Sequence, residues 1–280
     1  MAKSVRALSE YTKEYNERFQ TMMDHGLKSR EDNYKQEMAD ILRLGVSKKP
    51  RVLAIGSGNG EVDQFVINTL LDTYDDIHYC VVEPASSPLN DFKRLIQSYE
   101  NRWNSVTFDF HEEGINEYLA EGGASENFDL IHAFHSVYFF RDAGSVLSQL
   151  YGMLRHDGML FIKVAAGAIE KWYLQRAKIS NIFFPHSCQV QELSSRELPS
   201  ITMEITCRPY TMNITECFNE NSEDGNKMLD FINQKLDYRR STPLKQVEYC
   251  LHFLRDECSE VRNDEILFLL VDDDIVVRKV

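Results

Sequence analysis

The chain has 280 residues, 43% of them hydrophobic, which is enough to bury a large core. Its 44 acidic residues outnumber 31 basic ones for a formal net charge of −13. That is the wrong sign for neutralising a phosphate backbone, so nucleic acid is disfavoured as the main partner. No run of about eighteen apolar residues marks a membrane span, and "MAKSVRALSEYTKEYNERF" is too polar for a signal peptide, so a cytoplasmic monomer away from the membrane is expected.

Residues 4–25 place Val5, Leu8, Tyr15, Phe19, Met22 and Met23 mostly three and four apart among charges, which predicts an amphipathic helix before the first strand. Strand and helix signals then alternate. "RVLAI" reads as strand, 61–74 as helix, "IHYCVVE" as strand, 87–99 as helix and "SVTFDF" as strand. A short helix near 115–120, the strand "FDLIHAF", a helix at 142–154 and the strand "GMLFIKVA" follow. Such alternation implies a parallel, doubly wound sheet.

After residue 165 the alternation breaks. "WYLQRA" looks helical, "ITMEITCRPYTMNIT" has strand composition, 224–236 and 243–256 look helical, and "EILFLLV" is a last strand suited to an antiparallel place. With no repeat and no Pro/Gly-rich linker, one domain over 1–280 is expected: an N-terminal helical segment 1–50, a core 51–165, and a later region 166–280. The six cysteines contain no C-x-x-C pair and no partner histidine at zinc-finger spacing, so reduced thiols and no metal are expected.

Gly56, Gly58 and Gly60 follow the first strand, at the edge where an open parallel sheet binds its ligand. Their spacing is G-x-G-x-G, with Glu61 where a dinucleotide loop has its third glycine, and no Lys-Ser/Thr pair follows as in a nucleoside-triphosphate loop. Glu83 ends the second strand 23 residues after Gly60, where a carboxylate can accept from both hydroxyls of a ribose. A glycine loop with a strand-end acid points to a nucleoside. This combination is what S-adenosylmethionine-dependent methyltransferases show.

Read together, "VLAIGSGNGEVD", "VVEP", "FDLIHAFHSVYFFRD" and "VRALSEYTKEYNERF" resemble the histamine N-methyltransferase family, whose members methylate small imidazole-bearing compounds. The resemblance implies a Rossmann-like class I methyltransferase: a mostly parallel seven-stranded α/β sheet with an antiparallel late strand, an N-terminal helical lid and C-terminal substrate-region insertions. It implies S-adenosyl-L-methionine as cofactor, with the Gly56 loop on its methionine end, Glu83 on its ribose, Gly114 and Ile115 at its adenine and Phe134 beside it. Pro88 stands where the family presents a polar side chain to the cofactor. For a small-molecule methyl acceptor the resemblance implies a wall of Tyr15, Phe19, Tyr138, Phe139 and Trp172.

Three polar positions depart from the family pattern. A family glutamate that pairs with the substrate ammonium aligns with Lys28, a glutamine that hydrogen-bonds the imidazole aligns with His135, and an asparagine near the last strand aligns with Asp264. Lys28 either faces solvent or attracts a carboxylate while Asp264 holds an ammonium, which would suit a histidine derivative or dipeptide. His135 is expected to orient the acceptor or take a proton, with Tyr138 as its helper. An oxygen or aliphatic-amine methyltransferase, or a cofactor-binding regulatory protein without transfer activity, stays open beside this reading.

Overall fold

A computed structural model of the protein describes residues 7–8, 11–26, 34, 37–38, 49–177, 186–198 and 202–279. In chain order the helices and strands are α1 (Thr12–Gly26), β1 (Arg51–Ile55), α2 (Asp63–Leu71), β2 (Ile77–Val82), α3 (Ser86–Ser98), β3 (Val106–His111) and α4 (Ile115–Ala120). They continue with β4 (Phe128–Phe134), α5 (Ala143–Met153), β5 (Leu154–Ala166), α6 (Gly167–Ala177), α7 (Ser187–Glu197) and β6 (Thr202–Asn213). The last are α8 (Glu223–Ile232), α9 (Tyr238–Ser241), α10 (Leu244–Cys258), β7 (Ser259–Arg262) and β8 (Glu265–Arg278).

The sheet order is β3-β2-β1-β4-β5-β8-β6, with β7 paired to β8. This is the mostly parallel, seven-strand path expected, extended by the short β7. β1 is parallel to β2 and β4, with Ile55 level with Val82 on one side and Ala133 on the other. Gly56, Glu83 and Phe134 therefore leave the sheet side by side at its carboxyl edge. Backbone bonds between Lys279 and both Asp157 and Gly158, with the antiparallel bridge Gly167–Leu270, set β8 antiparallel to β5. That register puts Asp272 across from Ala165.

The structure departs from the sequence expectation in several elements besides β7. Among the described residues the first helix begins at Thr12, and Leu8 is buried ahead of it. α7 was not expected, since "SCQVQELSSRE" is rich in serine and weakly periodic. The last strand runs on past "EILFLLV" through three consecutive aspartates, Asp272, Asp273 and Asp274, all buried.

By its internal contacts the chain divides into two compact units. The first comprises Tyr34–Ala166, Tyr173–Arg208 and Asp272–Val280. Its central strands are buried on both faces, as parallel strands covered by helices must be. On one face Leu53, Ile55, Val82, Ile131 and Ile162 meet Leu119, Leu147, Leu150 and Val190. On the other, Val52, Ala54, Val81 and Leu130 meet Val66, Ile67, Leu70, Leu89 and Phe92. Each fully buried aliphatic or aromatic side chain contributes about 1.5–3 kcal/mol.

The second unit comprises Met1–Asn33, Gly167–Trp172 and Pro209–Val271. There Arg18 of α1 donates to Asp230 of α8 at 3.1 Å, while Asp230 also accepts from the backbone N–H groups of Asp237 and Tyr238. Lys227 bridges Glu17 and Glu223. Among the described residues no helix is long and apolar enough to cross a membrane.

Candidate active site

The β1–α2 loop carries its three glycines in the left-handed region, with φ of 70° at Gly56, 56° at Gly58 and 81° at Gly60. A Cβ at Gly56 would lie 2.5 Å from the Cβ of Ser136, and one at Gly60 would run into the Phe92 ring. These two glycines let the loop press onto the sheet. Gly58 differs, because a Cβ there would meet nothing within 4 Å among the described residues.

Glu83 is 7% exposed and ties this loop to β2. Its Oε2 accepts from the Gly58 N–H at 2.9 Å and its Oε1 from the Ala85 N–H at 2.9 Å. Burial raises its pKa, with the two backbone bonds acting the other way. Each carboxylate oxygen can accept more than one hydrogen bond, so Glu83 keeps acceptor capacity for a pair of vicinal hydroxyls.

Beneath the loop lies a buried polar layer that the sequence reading did not find. Asp63 Oδ1 accepts from the Ser57 hydroxyl at 2.9 Å and the Tyr79 hydroxyl at 2.8 Å, and His132 Nε2 lies 2.8 Å from the same Tyr79 oxygen. Burial pushes the Asp63 carboxyl up to about 7 against those hydrogen bonds, and pushes His132 down to about 3. Both groups are thereby driven toward their neutral forms. Phe134 stacks on the His132 ring at 4.5 Å and meets Phe161 edge-on at 4.8 Å, which closes this layer at the end of β4.

On the adenine side of the sequence expectation, Gly114 is the N-cap of α4 and Ile115 is buried at its start. Pro88 sits in the first turn of α3, where its fixed φ is compatible with a helix and its missing N–H breaks no bond.

Past β4 the backbone turns sharply. His135 has φ 51°, and its N–H donates to the Lys163 carbonyl at 2.9 Å. A non-glycine residue in that region carries a conformational cost that clusters at functional sites. The ring lies between two groups: Nδ1 is 3.1 Å from the Tyr138 hydroxyl and Nε2 is 3.3 Å from Asp272 Oδ2. Tyr138 in turn accepts from the Ala165 N–H at 2.6 Å. Phe139 meets the Tyr138 ring edge-on and is 46% exposed. Ser136, next to His135, donates to the Ile55 carbonyl at 2.7 Å, which fastens this turn to the glycine loop.

The aspartate run of β8 is divided among partners according to strand alternation. Asp272 faces His135, Asp273 accepts from the Ser187 hydroxyl at 2.6 Å, and Asp274 takes Lys163 and Arg208. Lys163 is itself buried and also pairs with Glu37 at 3.2 Å. Burial alone would lower its pKa, but Asp274, Asp272, Tyr34 and Glu37 outweigh that and hold it above the ordinary value.

The remaining expected wall residues belong to the second unit. Tyr15 and Phe19, one turn apart on α1, form an aromatic trio with Phe231, their ring centroids 5.4 and 5.8 Å from it. Trp172 is buried beside Phe253 and Tyr249, and among the described residues its indole N–H has no hydrogen-bond partner. Asp264 is exposed in the two-residue turn joining β7 to β8, where Asn263 and Asp264 have φ of 50° and 64°. A tight hairpin turn of this kind selects Asn and Asp for its backbone alone. Lys28 lies outside the described residues.

Residues 53–160 match the family model described as a methyltransferase domain. The chain is 24% identical to the histamine N-methyltransferase of Bos taurus over 97% of its own length and 100% of that protein. It is 24% identical to carnosine N-methyltransferase 2 of Gallus gallus, covering 95% of this chain and 86% of that one. Among solved structures, the YcgJ protein from Bacillus subtilis superposes with a TM-score of 0.56 at 13% identity, over 89% of this chain and 98% of that one. With the sheet order, the glycine loop and the strand-end acid, these matches show an S-adenosylmethionine-dependent methyltransferase with the class I fold, similar over most of its length to histamine N-methyltransferases.

Proposed function

We propose that the protein transfers a methyl group from S-adenosylmethionine to a nitrogen of a small imidazole- or amine-containing metabolite, one that bears a carboxylate, such as a histidine derivative or a histidine-containing dipeptide. The observation that carries the nitrogen-methylating reading is the span of the similarity. The bovine and chicken relatives align over 95% or more of the chain, well beyond the 53–160 methyltransferase domain and into the segments expected to select the acceptor. The carboxylate rests on Lys28, which stands where the family pairs a glutamate with an ammonium.

The cofactor, when bound, supplies a methyl group on a sulfonium centre. The residues fit it: the Cβ position of Gly58 is clear of every described residue, Gly56 and Gly60 bring the loop down, and Glu83 retains acceptor capacity for the ribose. Gly114 and Ile115 line the base in this reading, with Phe134 at the loop's flank and Pro88 contributing shape only. The protein's contribution is alignment of the acceptor and exclusion of water, worth roughly 7–11 kcal/mol in well-oriented systems. Tyr138, Phe139 and His135 are the acceptor-wall residues of the first unit.

The test is a methyl-acceptor screen with labelled S-adenosylmethionine against histamine, histidine, carnosine and simple amines, read by mass spectrometry. Methylated histidine or carnosine exceeding methylated histamine supports the carboxylate; a preference for histamine removes it. Tight cofactor binding with no product from any acceptor would instead favour a binding protein without transfer activity.

A further inference from the structure

We propose that Asp272 is a positioning residue which, through His135, makes the Tyr138 hydroxyl the group that receives the acceptor's proton. The inference rests on the reading of the β4 edge as the acceptor side of the methyl-transfer site. It starts from a limit of geometry: both nitrogens of His135 face protein groups, Tyr138 at 3.1 Å and Asp272 at 3.3 Å. His135 therefore acts on the acceptor one residue removed.

The order of donors along the chain follows from what each group can do. An ionised carboxylate only accepts, so the neutral ring carries its proton on Nε2, toward Asp272, and its Nδ1 is the acceptor. Asp272 is 3% exposed and lies within electrostatic reach of the Lys163 ammonium. Tyr138 must then donate to Nδ1. The same phenol oxygen accepts the Ala165 N–H at 2.6 Å, so its hydroxyl direction is fixed from two sides. Each participant is held by backbone: Asp272 and Ala165 by the β8–β5 register, and His135 by its bond to the Lys163 carbonyl in a left-handed conformation.

The arrangement matters for an acceptor that arrives as an ammonium. The proton masking its lone pair passes to the Tyr138 oxygen while the hydroxyl proton passes to His135 Nδ1, leaving an imidazolium beside the Asp272 carboxylate. The freed lone pair forms the N–CH3 bond as the C–S bond breaks and the sulfonium becomes a thioether. A neutral imidazole acceptor has its lone pair already and needs no such transfer. Tyr138 is then the catalytic residue, and His135 and Asp272 position and neutralise it.

Long-range proton–nitrogen correlation spectra of protein labelled in its histidine rings test the hydrogen-bond order without any acceptor, with His135 assigned from its loss in His135→Gln. The expected result is a single Nε2–H tautomer for His135, relaxing to a mixture in Asp272→Leu, and a shifted Nδ1 resonance in Tyr138→Phe. An Nδ1–H tautomer in the wild type, or no change in either variant, overturns the proposal. In turnover, Tyr138→Phe and Asp272→Leu should each lower kcat about 100-fold for amine acceptors and by a clearly smaller factor for imidazole acceptors, with cofactor Kd nearly unchanged. Equal losses for both classes would mean a structural role only and would also overturn it. An Nε2–H tautomer in a protein that methylates nothing would instead remove the methyl-transfer reading.

Discussion

The sharpest consequence of the site geometry concerns Glu83→Gln. Both carboxylate oxygens of Glu83 accept a backbone N–H, from Gly58 and Ala85, each at 2.9 Å. A glutamine is the same size, but whichever way its amide is turned, its NH2 faces one of those two donors. One charge-assisted hydrogen bond is lost, about 1.5–3 kcal/mol, and a backbone N–H is left without an acceptor. A ribose hydroxyl that bonds the carboxylate loses a comparable amount. The total at the cofactor is about 3–6 kcal/mol, or roughly 10²–10⁴ in Kd at 1.4 kcal/mol per tenfold. The stability of the fold falls less, because burial already works against the charged form of Glu83. Calorimetric titration with S-adenosylhomocysteine, paired with thermal unfolding, separates the two effects. A folded variant whose Kd stays within about twofold of wild type would refute the assignment of Glu83 to the ribose and the reading of the loop that depends on it.

Asp63 and His132 set opposite pH dependences. Asp63, raised to about 7, adds stability below pH 4 that is lost as pH rises to 7, whereas His132, lowered to about 3, adds stability above pH 6.5 that is lost as pH falls. The two offset each other between pH 4 and 6.5, so Asp63→Asn should show stability rising with pH across that window in denaturant melts, by at most about 4 kcal/mol. A curve parallel to wild type would contradict it. Gly60→Ala forces a left-handed alanine onto the Phe92 ring and should cost at least ~2 kcal/mol of stability, visible as a lowered Tm. Lys163→Met removes the buried cation shared by Asp274 and Glu37, leaving Arg208 to serve both, and should cost about 3–5 kcal/mol in urea unfolding. Cofactor affinity should decline as pH falls through the titration of Glu83, at a higher pH than an ordinary carboxylate would give, which calorimetry across pH would detect.

The sheet was legible in the sequence because its central strands are short apolar runs bounded by turn residues, and the glycine loop because backbone geometry at the first strand's end selects glycine. What escaped is long-range. Asp63, Tyr79 and His132 meet across three elements at sequence separations of 16 and 53, and none carries a local signature. "DDD" reads as a solvated turn by composition, yet each acid is buried because Ser187, Lys163, Arg208 and His135 arrive from other elements to meet it. Asp264 is the converse case. Its residue type is accounted for by the hairpin turn it occupies, while the buried acids of the last strand begin at Asp272, eight positions on. The aromatic spacing of Tyr15 and Phe19 was visible, but their partner Phe231 lies on a helix more than 200 residues away.

Ser136 stands between two residues with different duties: it touches Gly56 and bonds the Ile55 carbonyl on one side, and is covalently next to His135 on the other. Mutual tightening of the two ligands is the consequence. A loop braced against Ser136 cannot settle around a cofactor without also fixing the turn that carries His135, so occupancy of one side should tighten the other. By thermodynamic reciprocity the factor is the same in both directions. Acceptor affinity measured with and without S-adenosylhomocysteine should therefore change by the factor by which the acceptor changes S-adenosylhomocysteine affinity.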